Sequence, residues 1–280
     1  MPKMIAEVVL ACLLALLGSV ALAQETATPN FWDQRQRLAK PPLPTLERIR
    51  FLTSVDYPPF NFLDPRGRLA GFNVDLVRAA CEELGLIDRC QIEARPFAEL
   101  LPALAKGEAE AVIAGIAVTP GNRDSLAFTE SYFRFAARFV SRTDKPLAEP
   151  LSEALAAKRV GIVAGSAHAA MLQAYFPMAQ AMPFDTRDLA LAALRDGRVD
   201  AVFGDGVGLA FWLESDAAGN CCSFSGGPYF SERFLGEGLA IAVDKKNADL
   251  AKALDYALGQ VVAKRRFSEL MLRYFPLSAF

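Results

Sequence analysis

Histidine is nearly absent from this chain: His168 is the single one among 280 residues. A metal centre built from several histidines is therefore excluded, and histidine-dependent catalysis would rest on that one position. Charge of one sign is missing too. Thirty Lys and Arg stand against 32 Asp and Glu, for a net charge of −2. There is no basic excess to suit a nucleic acid and no acidic tail. Beyond the N-terminus no apolar run approaches the roughly 20 residues that a membrane span needs. Cysteine is sparse, with five in all. Apolar residues, by contrast, make up 52% of the chain, enough for a sizeable core in one or two domains.

The one long apolar run lies at the start. Lys3 supplies a positive charge, residues 8–20 are apolar, and Ala21-Leu22-Ala23 is a small-x-small cleavage pattern. Residues 1–23 are expected to be a secretory signal peptide, cleaved before Gln24. Cys12 sits too early in it to be a lipoprotein site. Export implies an oxidising, periplasmic setting. Four cysteines would then remain. Cys81 and Cys90 flank an expected helix end and the following strand, a local spacing that suits a disulfide. Cys221 and Cys222 are adjacent. Neighbouring Cα atoms about 3.8 Å apart fall short of the usual disulfide range, which leaves a strained vicinal bridge or two free thiols.

Residues 24–47 are polar, end in KPPLPTLER, and read as an N-terminal extension. From Ile49 onward strand-like and helix-like runs alternate. Strands are expected near 49–55, 90–94 and 111–116, with helices over 74–84 and 97–105. Val74, Val77, Cys81 and Leu84 keep helical spacing and Gly85 supplies a stop. A second set follows: strands over 159–163 and 199–204, helices over 167–175 and 188–195. Alternation of this kind argues for βαβ units around a mostly parallel sheet. The sets share a short repeat, since LAKGEAEAVIAG (104–115) aligns without a gap on LRDGRVDAVFGD (194–205). Two similar α/β lobes facing each other are the simplest reading. Ligands of such sheets sit beyond the C-terminal ends of the strands. That rule selects residues 54–60, 114–119, 165–168 and Asp205.

These stretches, in this order, resemble the family 3 extracellular solute-binding proteins. The resemblance runs over about residues 48–276. It is carried by IRFLTSVDYPPF, RPFAELLPALAKGEAEAVIAGIAVTPGNRDSLAF, KRVGIVAGSAHAAMLQAYFP and LRDGRVDAVFGD. It implies an α/β fold of the type II periplasmic-binding-protein kind, a Venus flytrap of two lobes joined by two hinge strands. Lobe 1 would comprise 48–139 and 231–280, and lobe 2 would comprise 143–228. The hinge strands would lie near 139–142 and 226–231. It also supports the Cys81–Cys90 pairing. Implied function is capture of an amino acid or related small carboxylate for the permease of an ABC importer, by a monomer with no cofactor, metal or catalytic residue.

Asp205 matches the family's ammonium-binding acid, beside the alternative of a capping Asp. Tyr57 and Phe97 match aromatic walls on either side of the ligand. Asp56 is a candidate polar contact or a solvated loop acid. Arg123 is the candidate carboxylate anchor, because a guanidinium suits bidentate pairing. It stands one residue later than in the family's T-x-x-R pattern, and Asn122 takes the usual arginine position. Common hydroxyl positions are filled by Ala114, Gly115, Ala117 and Ala167, so fewer side-chain donors remain. Backbone N–H groups over 165–168 are expected to compensate at a helix start. Ser166 there is a ligand donor or an N-cap, and His168 is a ligand contact or a solvent-facing residue. Two rival functions share the fold. One is a receptor presenting its ligand to a membrane sensor. The other is an exported dehydratase acting on prephenate-like acids, for which no carboxylate pair is evident.

Overall fold

The structure is a computed structural model that describes residues 41, 48–116 and 118–276. The expected signal peptide, the extension apart from Pro41, and Ala117 lie outside the described residues. Lobe 1 opens with β1 (Ile49–Thr53), β2 (Asp56–Tyr57), β3 (Asn61–Leu63) and β4 (Leu69–Ala70), then α1 (Phe72–Leu84). It continues through β5 (Cys90–Ala94), α2 (Phe97–Ala105), β6 (Ala111–Val112), α3 (Pro120–Arg123) and β7 (Leu126–Phe128). Lobe 2 holds β8 (Ala137–Arg142), α4 (Leu151–Ala154), β9 (Arg159–Val163), α5 (Ala167–Tyr175) and β10 (Gln180–Phe184). It ends with α6 (Arg187–Arg195), β11 (Ala201–Asp205), α7 (Gly206–Leu213) and β12 (Cys222–Tyr229). The chain then returns to lobe 1 through α8 (Glu232–Leu235), β13 (Ala242–Asp244), α9 (Ala248–Ala263) and α10 (Arg266–Tyr274).

Each lobe is built on a five-stranded sheet, ordered β5-β1-β6-β13-β7 in one and β10-β9-β11-β8-β12 in the other. The second strand in the order, β1 or β9, pairs in parallel with both neighbours, and the fourth, β13 or β8, runs antiparallel to the third, in both. The sequence repeat is this shared topology. At the base of β1 the Arg50 backbone N–H donates to Glu110 Oε2 at 2.6 Å and its Nη2 to the Gly107 carbonyl at 3.0 Å. At the base of β9, Arg159 donates to Asp200 Oδ2 at 2.9 Å and to the Gly197 carbonyl at 3.2 Å. Gly107 and Gly197 both end a helix at positive φ, 72° and 73°, which a side chain would resist. The same latch closes each βαβ unit, so the opposite ends of β6 and β11 emerge at equivalent places.

Apolar residues cover both faces of each sheet, as parallel strands require. In lobe 1 one face buries Phe51, Ile113 and Ile241 with α1 and α9, and the other buries Leu52, Val112 and Leu100. α1 presents Val74, Val77, Cys81 and Leu84 inward and stops at Gly85 in the left-handed region, φ 72°. The C-terminal helices clamp back on it: Arg273 and the Tyr274 hydroxyl donate to Asp75 at 2.9 and 2.7 Å. The observed element boundaries agree with those read from periodicity to within a few residues, least closely where short strands lead into loops.

Two expectations change. The first crossing falls earlier than 139–142, because from Ala137 onward the chain already pairs with β11 and Phe139 is buried in the lobe 2 core. At the second, expected near 226–231, β12 shifts register between Ser225 and Tyr229, its last residue. Cys81 and Cys90 are bridged, tying α1 to β5. Cys221 and Cys222 are also bridged, with Cα atoms 3.7 Å apart. The thiol alternative is thus set aside, since bonded neighbours accommodate a Cα spacing below the range set by distant pairs.

Candidate functional site

The C-terminal ends of β1, β6, β9 and β11 meet where the lobes face each other. Val207 and Ala210 of α7 pack into the lobe 1 core cluster beside Tyr57, so the lobes touch there. Next to this contact lies a cavity of ≈ 500 Å3 between the 57–60 loop and α7. Tyr57, Phe60, Phe211 and Trp212 give it aromatic walls, and Arg187 and Asp205 give it charge. A hollow of ≈ 700 Å3 lies at the far end of lobe 2. Its two arginines are already held, Arg142 by Asp144 and Arg159 by Asp200, and it lies away from the strand ends that face the other lobe.

Asp205 ends β11 and caps α7: its Oδ2 accepts the Gly208 N–H at 2.7 Å. Its Oδ1 is shielded from solvent and has no hydrogen-bond partner. Burial raises the Asp205 pKa, against the helix N–H groups of Gly208 and Val207 and the nearby His168 and Arg187. The sequence left capping and ligand binding as alternatives. The carboxylate has two oxygens, and only one is used by the cap.

Tyr57 stands on the lobe 1 side, its ring stacked on Phe60 with centroids 4.8 Å apart. Phe60 is itself wedged edge-on against Phe133 at 4.9 Å, which fixes the loop. Burial and the Asp205 charge push the Tyr57 hydroxyl up to about 12, so it stays a neutral donor. Gly115 follows β6 at φ 74°, and a Cβ there would stand 3.0 Å from Tyr57 Cε1. The ring fits because that position has no side chain. Asp56 is exposed at the outer strand of the small sheet. Phe97 is the first residue of α2 and is 49% exposed. It is no core residue, and it does not line the 500 Å3 cavity.

In lobe 2, Ser166 caps α5: its Oγ accepts the Ala169 N–H at 3.1 Å and donates to the Val163 carbonyl at 2.7 Å. The hydroxyl's single proton is spent, which makes the N-cap reading the observed one and removes Ser166 as a side-chain donor. His168, in the first turn of the same helix, is half-buried rather than solvent-facing and lies 6.2 Å edge-on from Phe203. Its Nε2 is shielded and unpartnered, and burial lowers its pKa despite the Asp205 charge. Two shielded polar atoms without partners therefore sit near one another at the mouth of β9 and β11.

Arg123 departs from the expected anchor. Its Nη2 donates to Glu237 Oε2 at 2.6 Å, with both side chains about half exposed, and it borders a separate recess of ≈ 140 Å3. Thr119 caps α3 by accepting the Asn122 N–H at 3.2 Å, and Arg123 is the last residue of that helix. Arg187 was missed in the sequence. It opens α6 behind the Thr186 cap, just past the C-terminal end of β10. The strand-end rule would have found it had β10 been recognised.

The profile of the bacterial extracellular solute-binding proteins, family 3, matches residues 49–277. An L-arginine-binding protein of Pseudomonas aeruginosa is 29% identical over 95% of this chain and 98% of its own length. ABC transporter arginine-binding protein 1 of Escherichia coli K12 is 28% identical over 82% of this chain and 91% of its own. Among solved structures, substrate-binding domain 2 of Lactococcus lactis GlnP, in an open conformation, superposes with a TM-score of 0.70. It is 16% identical and covers 85% of this chain and 98% of its own. The unliganded open L-cystine solute receptor of Neisseria gonorrhoeae gives 0.69 at 19% identity, over 81% and 92%. At such identities the two structures speak for the fold: two lobes around a cleft.

Proposed function

Because this chain belongs to the bacterial extracellular solute-binding proteins, family 3, we propose that it captures an amino acid or related small polar carboxylate between its lobes and delivers it to the permease of an ABC importer. The observation that carries this reading is Asp205. A carboxylate oxygen, shielded from water and without a partner, stands at a strand end where the two lobes meet. An ammonium is the partner such an oxygen lacks. Tyr57 faces it from lobe 1, and Phe97 stands exposed on that lobe ready to cover a ligand when the cleft closes. Gly115 behind the Tyr57 ring and His168 beside Asp205 border the same opening in this proposal, and the N–H groups at the start of α5 serve an anionic group.

Capture of this kind uses hinge motion and no covalent step. The P. aeruginosa and E. coli relatives are binding proteins by name, which supports a non-enzymatic role. Export by residues 1–23 would place the mature monomer in the periplasm, and no helix of the described residues is long and apolar enough to cross a membrane. The test is a thermal-shift screen of residues 24–280 against α-amino acids and small organic acids. A ligand at about 100 times its Kd stabilises the folded state by about 2.7 kcal/mol. A response to an α-amino acid supports the reading. Responses confined to acids without an amine remove the amino-acid clamp and leave the related carboxylate, and no response to either class removes the reading.

A further inference from the structure

We propose that Arg187 is the specificity-determining cation of the cleft, taking the ligand's carboxylate while Asp205 takes its ammonium. The preferred ligands are then zwitterionic amino acids with apolar or aromatic side chains, not basic ones. The inference rests on the amino-acid-binding reading and narrows its ligand class.

Geometry places the two charges together. A Cβ built on Gly208 would stand 2.6 Å from Arg187 Nη1 and 3.0 Å from Asp205 Oδ2. The guanidinium and the carboxylate therefore border one point above the first turn of α7, and Gly208 is the residue that leaves room for both. They form no ion pair with each other within 4.0 Å; the recorded contact of Arg187 is a long, exposed one, Nε to Asp188 Oδ1 at 3.5 Å. An exposed pair of this kind contributes little and is readily exchanged. Both charged groups line the 500 Å3 cavity, where the remaining walls include Tyr57, Phe60, Phe211 and Trp212.

Among the described residues lining the cavity, lobe 1 supplies no cation. The position where the family places its arginine is the neutral Asn122, and Arg123 is held by Glu237 outside this cavity. Charge balance then sets the ligand class. Among the residues lining the cavity Asp205 is the one acid, and the α-ammonium uses it. A basic side chain would find no counter-charge there and would meet Arg187. An apolar or aromatic side chain would find the rings.

The experiment is calorimetric titration of residues 24–280 with L-phenylalanine, L-leucine, L-arginine and L-phenylalaninamide, on wild type, Arg187→Gln and Arg123→Gln. Wild type is expected to bind an apolar amino acid about 10-fold or more tighter than L-arginine, and the acid well above its amide. In Arg187→Gln the affinity for the acid falls about 30-fold, as for one lost charge partner, and the preference for acid over amide collapses towards unity. Arg123→Gln stays within about 3-fold of wild type, since it loses only an exposed pair. Wild-type preference for L-arginine, or unchanged acid binding in Arg187→Gln, overturns the inference while amino-acid binding itself stands. Wild type that binds no amino acid at all overturns the parent reading along with it.

Discussion

Replacing Asp205 separates its two duties, because one oxygen caps a helix and the other has no partner. Asp205→Asn keeps an oxygen to accept the Gly208 N–H, now at 2.7 Å, and removes the charge. Asp205→Ala removes both. Loss of the cap costs about 1 kcal/mol, partly offset because a desolvated oxygen with no hydrogen bond disappears as well. In a chain of this size that shifts Tm by about 2–4 °C for Ala and by less for Asn. Ligand binding should respond differently. Truncating one partner of a desolvated charge pair costs about 2–5 kcal/mol, or roughly 30-fold to several thousand-fold in Kd, and both variants lose the charge. The assay is thermal unfolding of the free protein alongside titration with the best-binding amino acid. Near wild-type stability with affinity reduced on that scale is the expected result for Asn. An Asn variant that binds within about 3-fold of wild type would refute the ammonium role.

pH adds an independent reading of the same residue. Burial raises the pKa of Asp205, so in the free protein its ionisation opposes stability as pH rises from the unfolded value through the folded one. An ammonium ligand favours the ionised form. Affinity should therefore fall as pH drops through that range, with protons released on binding and a binding enthalpy that depends on the buffer.

Other outcomes follow from the structure. Asp255 is pushed up to about 7 by burial, with Glu130 adding repulsion; stability should fall between pH 4 and that value by up to roughly 4 kcal/mol, and Asp255→Asn should flatten the profile in urea unfolding. Gly115→Ala places a Cβ 3.0 Å from Tyr57 at φ 74°; it should cost about 1–2 kcal/mol and weaken binding by displacing the ring, both visible in thermal shift with and without ligand. Removing the Cys81–Cys90 bridge by double Ala substitution should cost about 2–3 kcal/mol, the loop-closure value for its 9-residue separation. Equal unfolding midpoints for that variant and wild type would contradict it.

Periodicity exposed most of the architecture. Residues at helical spacing in 74–84 and 167–175, and strand-like runs at 90–94 and 159–163, became the elements observed, because burial of one face imposes its period on the chain. The 104–115 and 194–205 repeat anticipated two lobes of one topology, since its glycine and acid make the same latch with Arg50 and Arg159. It also led to Asp205, through the rule that strand ends face the cleft. β10 was harder to see: Gln180–Phe184 is an edge strand carrying Pro183, with no buried residue, and such a segment lacks the continuous apolar run of a central strand.

Sequence alone therefore determined two similar α/β lobes, the Cys81–Cys90 bridge and the acid at a strand end, each of which is written in local spacing. Only the tertiary structure decided how the charges are used. Arg123 is claimed by Glu237, 114 residues away, the Ser166 proton by Val163, and the space over Gly208 is shared by Arg187 and Asp205. The reason is physical. A period of burial depends on neighbours along the chain, whereas the partner of a charge depends on distances of a few ångströms between segments that the fold alone brings together.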